Sequence, residues 1–525
     1  MATETIILLM FVIASAVAIA ARRFGIPYTV ALVPVGLLLS AMHLLNPPLL
    51  TRDVLFMVFL PGLVFEASFH INFESLWRDR VAVLALAFPG VIISIGLTAS
   101  LLVFAGREIH YLANISWALA LVFGAAIAAT DPISVVSLFN KLGAPQRLTL
   151  LIEGESLLND GTSIVFFSLI LSLVLGGVAA PSDIVVDFVK TVGGGAIAGA
   201  IVGFGISQAV RHIDDAMVEV MLMTVAAYGS FLVADQLGFS GVISTVTAGL
   251  VCGNYGARAG MSPTTRIAVR TFWDYFGFAL NSLVFLLMGF EIHVDTLVST
   301  WPIIVVAYVA VTLARSVVIF GVSGLLKVRK TRIPPAWNWI LIWGGLRGAL
   351  SMVLALSLPA QLPLRDLIVN MVFGVVLLSI LIQGLSMTSL ARRLGVVGKD
   401  EATTEYELAR LRRRLVAGAL EEIGRLRNGR FAHAAALDTV EEEYRGRAKQ
   451  ADQQLEQVEL NKDSQLRDET PELRRRLLLF EREQLIEARQ DGMMGDEAFN
   501  HLLADIDARL LECESNAANG FDEKD

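Results

Sequence analysis

Ala129-Thr130-Asp131-Pro132 interrupts the middle of an apolar run near 114–140, and Gly344-Gly345-Leu346-Arg347-Gly348 interrupts another near 335–360. Proline removes a backbone donor and clashes with the preceding turn. Glycines weaken a helix interior. Unwound backbone at membrane depth survives only where protein or a water-filled cavity covers it. Interruptions at corresponding positions of two halves point to the binding site of a secondary transporter. Glycine and proline are also simply common in membrane helices, but each of these breaks carries an ionisable residue, Asp131 and Arg347.

Outward from the breaks, residues 1–399 are a succession of apolar runs, and a helix needs roughly 20 apolar residues to cross a hydrocarbon core about 30 Å thick. About thirteen runs are legible by this rule. They lie near 4–21, 26–45, 51–71, 81–104, 114–140, 148–177, 184–210, 215–236, 239–257, 270–291, 300–326, 335–360 and 366–391. Loops after odd-numbered runs are rich in Lys and Arg, among them Arg22, Arg23, Arg147, Arg329, Lys330, Arg392 and Arg393. Loops after even-numbered runs carry only Arg52, Arg107, Lys190 and Arg365. Positive charge marks the cytoplasmic side. The alternation places the N-terminus outside and the C-terminal part in the cytoplasm of a cell inner membrane. The apolar stretch at 6–21 has no basic residue before it and two after it, the reverse of a cleavable signal.

If runs one to six form one unit and eight to thirteen a second, the broken runs five and twelve correspond. Run one then enters from outside and run eight from inside. The expected fold is an all-α membrane protein with two inverted six-helix repeats, a linker helix, broken spans 5 and 12, and a soluble α-helical tail.

Composition divides the chain at the same point. The whole is 55% hydrophobic with a mean hydropathy of +0.62. Residues 1–399 hold 23 Lys+Arg against 20 Asp+Glu, a net +3, and residues 400–525 hold 19 against 30, a net −11. An acidic tail excludes nucleic acid as its partner. Cys252 and Cys513, with seven scattered histidines, form no metal or disulfide pattern. The tail reads as amphipathic helices. One opens at Thr470-Pro471-Glu472, with a cap and then proline at the first helical position. Another opens at Asp496-Glu497 with Phe499, Leu502, Leu503, Ile506 and Leu510 on one stripe. Arg412-Arg413-Arg414 suits anionic membrane lipid. The tail reads either as a bundle that aids folding or dimerisation, or as a regulator. It shows no nucleotide-binding glycine motif.

Charges inside membrane spans are costly and mark function by default. The candidates are Glu66, Asp131, Glu155, Asp160, Arg315 and Arg347. The sixth run reads Glu153-Gly154-Glu155-Ser156-Leu157-Leu158-Asn159-Asp160-Gly161. Helical spacing puts Ser156 and Asp160 on one face, with Asn159 beside them. Hard cations take carboxylate, carbonyl and hydroxyl oxygens. Asp160 supplies the charge, Ser156 a hydroxyl, and the turn at Thr130 a hydroxyl and a freed carbonyl. Glu66 completes the site from the third run. Burial favours the neutral acid and a bound cation favours the carboxylate, so one aspartate holds either a proton or a metal ion. Asn159 cannot ionise, which makes the exchange one-for-one. Glu155 pairs with Arg315, or failing that with Arg347. Asp131 and Arg347 sit near opposing half-helix ends and offset their dipoles. Glu219, Asp235 and Asp274 lie near span ends and are read as solvated.

Four motifs in order, Phe59-Leu60-Pro61…Glu66, Ala129-Thr130-Asp131-Pro132, Glu155-Ser156-Leu157-Leu158-Asn159-Asp160-Gly161 and Gly344-Gly345-Leu346-Arg347-Gly348-Ala349, resemble the monovalent cation/proton antiporter family of NhaP/NHE type. The likeness runs over essentially all of 1–399. It implies a transmembrane domain at 1–399, with a core and a dimerisation part, and a cytoplasmic helical tail at 400–525. It also implies crossing broken helices, a homodimer and elevator-like alternating access. It implies an ion site at Asn159–Asp160, with Asp160 as the ion- and proton-binding carboxylate and Thr130 and Ser156 coordinating Na⁺. Glu66 matches an acidic position of microbial members, and Glu155 with an arginine matches a stabilising pair. No enzymatic activity, catalytic residue or cofactor is implied. The expected activity is electroneutral exchange of Na⁺, or of K⁺ or Li⁺, for H⁺. A K⁺/H⁺ antiporter regulated by its tail, a passive cation channel and a membrane-anchored sensor are the competing classes.

Overall fold

The computed structural model describes residues 3–24, 27–42, 52–108, 115–176, 181–257, 260–292, 294–326, 333–397, 401–428 and 434–460, with a few positions between 477 and 510. Among these residues the chain is helical throughout, with no strand. It divides into two compact units, Met1–Gly398 and Lys399–Asp525.

In the first unit, α1 spans Thr3–Phe24 and α2 Tyr28–Ala41. A π-turn at Leu55–Phe59 leads into α3, Leu60–His70. Then follow α4, Arg80–Arg107, and two half-helices, α5 at Trp117–Ala126 and α6 at Ile133–Leu142. Next come α7, Gln146–Val174, α8, Pro181–Val210, α9, Ala216–Gln236, and α10, Gly241–Val251. The unit ends with α11, Pro263–Glu291, α12, Val294–Leu326, the half-helices α13 at Pro335–Trp343 and α14 at Ala349–Leu356, and α15, Arg365–Arg393. Seven helices among the described residues are long and apolar enough to cross a membrane, and four shorter apolar ones accompany them.

The helix starts follow local chemistry. Ser116, Asp215, Ser240 and Ser262 each accept a hydrogen bond from a backbone N–H in the first turn of α5, α9, α10 and α11. Pro263 at the first position of α11 gives up an N–H that would have had no partner there. The α6 helix ends at Gly143, whose φ of 66° needs a residue without a Cβ. Where α2 crosses α11, a Cβ on Gly36 would lie 2.3 Å from Leu286 O, and one on Gly289 would lie 2.3 Å from Val33 O. Small residues allow that backbone approach. Arg147, at the start of α7, grips the buried Asp79 before α4 at 2.7 Å.

One expectation fails here. Glu219, in the first turn of α9, is not solvated. It is 0% exposed, and neither carboxylate oxygen has a hydrogen-bond partner among the described residues. An apolar count on α9 alone does not reveal that burial. Asp274 is exposed and meets His70 Nε2 at 3.1 Å.

In the second unit, α16, Glu401–Asn428, packs on α17, Ala434–Leu460. Arg427 bridges Asp438 at 2.5 Å and Glu441 at 2.6 Å, and Arg413 meets Asp452 at 2.8 Å. Of the stripe read after Asp496, Leu503, Ile506 and Leu510 pack with Leu478 and Leu485. The helix starts read at Thr470 and Asp496 lie outside the described residues.

Candidate functional site

The two breaks meet. Helix α5 stops at Ala126, α13 stops at Trp343, and the extended segments that follow are joined where Asp131 N donates to Leu346 O at 2.8 Å. Proline at 132 lacks an N–H, so α6 restarts one residue later, with Ile133 N donating to Asp131 Oδ1 at 3.0 Å. A carboxylate at that N-terminus offsets the positive end of the helix dipole.

The opposite end of the break carries positive charge. Arg347 Nη1 donates to Ala128 O at 2.7 Å and to Ala129 O at 3.3 Å, just past the end of α5. Carbonyls without an intrahelical partner are thereby satisfied. Arg347 N itself donates to Ser379 Oγ at 3.1 Å. Two glycines of the second segment stand where a side chain would not fit. A Cβ on Gly348 would lie 2.5 Å from the Cβ of Asp131, and one on Gly345 would lie 2.2 Å from Arg315 Nε.

Arg315 of α12 takes Glu155 of α7 as its partner, with Nη1 to Oε1 at 2.7 Å and Nη2 to Oε2 at 3.1 Å. The same guanidinium donates to Leu341 O from Nε at 3.0 Å and from Nη2 at 2.8 Å. It therefore ties α7, α12 and the end of α13 together. Of the two arginines open to Glu155 in the sequence, this one lies against it, and Arg347 serves the other break.

Asn159 is wired into the α5 break. Its Nδ2 donates to Ala128 O at 3.0 Å and to Thr130 Oγ1 at 3.1 Å, and its Oδ1 accepts from Ser163 Oγ at 2.6 Å. Both ends of the amide are engaged, and Asn159 does not line the cavity described next. In this structure Asn159 is held as a clamp on the unwound turn. Thr130 Oγ1 lies 2.8 Å from Ser156 Oγ.

Beside this crossing lies a cavity of about 100 Å³. Its polar lining is Thr130, Asp131, Glu153, Ser156, Asp160 and Asn281. A water's share of liquid volume is about 30 Å³, so the space suits a small cation with part of its hydration. Three of the lining residues are carboxylic acids and none is basic. That charge balance favours a cation and opposes an anion. The carboxylate of Asp160 has no hydrogen bond or ion pair among the described residues, which leaves its oxygens to the cavity.

Glu66 does not join this group. Leu60, Leu63, Val64 and Ala67 turn the cavity-facing side of α3 inward, and Glu66 lies roughly a third of a turn round the helix. A Cβ on Gly277 would come within 3.0 Å of the Glu66 carboxyl carbon, and His70 Nδ1 stands 3.7 Å from Glu66 Oε1. Glu66 is therefore not brought together with Asp160, Ser156 and Thr130 at the cavity. Its span contains the π-turn at Leu55–Phe59, and an extra residue in a turn rotates everything after it.

Two lining residues escaped the sequence reading, Glu153 and Asn281. Glu153 had a signal. It stands three and seven residues before Ser156 and Asp160 and so shares their face. Asn281 had none, being a single amide in an apolar run.

Comparison with known proteins agrees with this architecture. Residues 7–393 match the family model described as sodium/hydrogen exchanger, transmembrane. The chain is 38% identical over 467 residues to the Na⁺/H⁺ antiporter ApNhaP of Aphanothece halophytica, covering 88% of this chain and 85% of that one. It is 35% identical over 459 residues to the Na⁺/H⁺ antiporter NhaG of Bacillus atrophaeus, covering 85% of each. The solved structure of the sodium proton antiporter MjNhaP1 from Methanocaldococcus jannaschii at pH 8 superposes with a TM-score of 0.60 at 21% identity, over 75% of this chain and 98% of that one. That likeness concerns the fold. With the family model spanning most of the chain, and relatives above 30% identity aligned over most of their length, the chain belongs to the sodium/hydrogen exchanger family as an antiporter of NhaP type.

Proposed function

We propose that this chain is an electroneutral monovalent cation/proton antiporter in which Na⁺ and H⁺ compete for the Asp160 carboxylate. The observation that carries the reading is that carboxylate itself. It is free of any described hydrogen bond or ion pair and lines a small acidic cavity beside the hydroxyls of Ser156 and Thr130. A carboxylate, two hydroxyls and water make an oxygen shell suited to a hard cation. A proton needs only one of the carboxylate oxygens. Charge compensation elsewhere is local: Arg315 answers Glu155, and Arg347 answers the carbonyls of the α5 break. Neither guanidinium needs to be released for the ion to enter.

The same reading extends to the assembly. Counting each broken pair as one span gives thirteen spans in two inverted six-helix repeats, with α8 as the linker. The N-terminus lies outside, and residues 400–525 form a cytoplasmic helical tail. The working unit is a homodimer in the cell membrane, and the ion changes sides by elevator-like alternating access. Na⁺ is the cation of the relatives' names, and the ligand types equally suit K⁺ and Li⁺.

The test is exchange in proteoliposomes. Na⁺ added outside should collapse an imposed pH gradient at a rate unchanged by clamping the membrane potential, and Asp160→Asn should abolish it. Exchange that survives Asp160→Asn, or that carries steady current, would overturn the reading. Flux indifferent to an opposing proton gradient would mark a channel instead.

A further inference from the structure

The cavity has two kinds of wall. Helix α7 and the break before α6 supply the carboxylates and hydroxyls, with Gly348, Ala349 and Leu350 beside them. The turn before α3, α3 itself and α11 supply Leu55, Leu60, Leu63, Val64, Val284 and Phe285, together with Ala67 and one polar residue, Asn281. On α11, Asn281, Val284 and Phe285 fall three and four residues apart and so face the cavity together. Asn281 is 5% exposed, and its Oδ1 is sealed from solvent with no hydrogen-bond partner among the described residues.

Buried polar side-chain atoms without a partner are uncommon and call for a reason. Elsewhere at this site the amides and hydroxyls are engaged, as with both ends of Asn159. Which end of an asparagine amide is oxygen follows from its hydrogen bonds. Nothing among the described residues holds either end of this one. A half-turn of the amide exchanges the two, so either end can be turned toward the cavity that Asn281 borders.

We propose that Asn281 is a cation-specific ligand, presenting its amide oxygen to the monovalent ion held at Asp160 from the otherwise apolar wall. The proposal rests on the antiport reading and deepens it. A cation must replace several water oxygens at once, whereas a proton is held by a single carboxylate oxygen. An added neutral oxygen therefore strengthens the cation against the proton in their competition. Being uncharged, it leaves the one-for-one exchange untouched. Asn281 positions the ion and supplies part of its shell, and proton binding does not require it.

The experiment is initial exchange rates in proteoliposomes over a grid of Na⁺ concentration and pH, resolved into a KM for Na⁺ and an inhibition constant for H⁺. Asn281→Ala should raise the KM for Na⁺ by about tenfold or more, equivalent to about 1.4 kcal/mol of binding. The inhibition constant for H⁺ and the rate at saturating Na⁺ should stay within about twofold, well short of that change. Asn281→Thr and Asn281→Val differ by an oxygen for a methyl group and guard against a cavity effect. The Thr variant should bind Na⁺ several-fold more tightly than the Val variant. An unchanged KM in Asn281→Ala, equal KM values in the Thr and Val variants, or parallel shifts of the Na⁺ and H⁺ constants would overturn the proposal. Absence of Na⁺-dependent proton movement in the parent protein would overturn the antiport reading itself, before any variant is made.

Discussion

Replacing Glu155 by leucine tests the architecture without touching the cavity. The Arg315 and Glu155 side chains are 10% and 5% exposed, and two short hydrogen bonds join them. In Glu155→Leu the guanidinium keeps only its bonds to Leu341 O and remains buried with its charge unanswered. Removing one partner of a buried pair costs about 3–5 kcal/mol. Removing both is a different matter. An apolar replacement for a buried pair is often neutral or stabilising, but Leu341 O would lose two donors, a cost of roughly 1–3 kcal/mol. Glu155→Leu/Arg315→Met should therefore be more stable than Glu155→Leu alone, with a coupling energy of about 2 kcal/mol or more. The assay is thermal unfolding of the detergent-solubilised protein, followed by loss of the monodisperse chromatographic peak, for the parent, both single variants and the double. A Glu155→Leu variant as stable as the parent would refute the reasoning, as would a double variant no better than the single.

Other expected outcomes follow from the same geometry. Gly345→Ala should lower the unfolding temperature sharply, because its Cβ would sit 2.2 Å from Arg315 Nε, a side chain already fixed by Glu155 and Leu341. Overpacking of this kind costs about 1–3 kcal/mol, and a stability equal to the parent would contradict the close packing of Arg315 on this turn. Asn159→Ala should leave Ala128 O and Thr130 Oγ1 without their amide donor, costing about 1–3 kcal/mol. Its exchange rate should fall with little change in the KM for Na⁺, since both ends of the amide are engaged at the turn. A raised KM at unchanged rate would return Asn159 to the ligand set.

Much of this site is legible in the sequence, because a charged residue in an apolar run has few reasons to be there. Asp131, Asp160, Glu155 and Arg347 announce themselves in that way, and helical spacing alone puts Ser156 beside Asp160. What the sequence withholds is direction. Whether Glu155 faces Arg315 or Arg347 depends on how three helices cross. Glu66 looks like a ligand by type, yet the π-turn at Leu55–Phe59 precedes it and Leu63 and Val64 face the cavity in its place. Asn159 looks like a partner to the ion, but its donors are needed by a broken turn that only the fold reveals. Asn281 is invisible for the opposite reason. A lone amide is tolerated in many apolar helices, and only the cavity it borders gives it meaning. Glu219 is misread because position near a span end does not by itself fix a side chain's exposure.

The central claim is that one carboxylate holds either a sodium ion or a proton. It is tested most directly by titrating solubilised protein with Na⁺ in weakly buffered solution containing a pH-indicating dye. Near the pH of half-maximal exchange, Na⁺ should release protons in proportion to the ions bound, approaching one per chain, and Asp160→Asn should release none. Na⁺ binding that releases no proton, or proton release that persists in Asp160→Asn, would contradict the account.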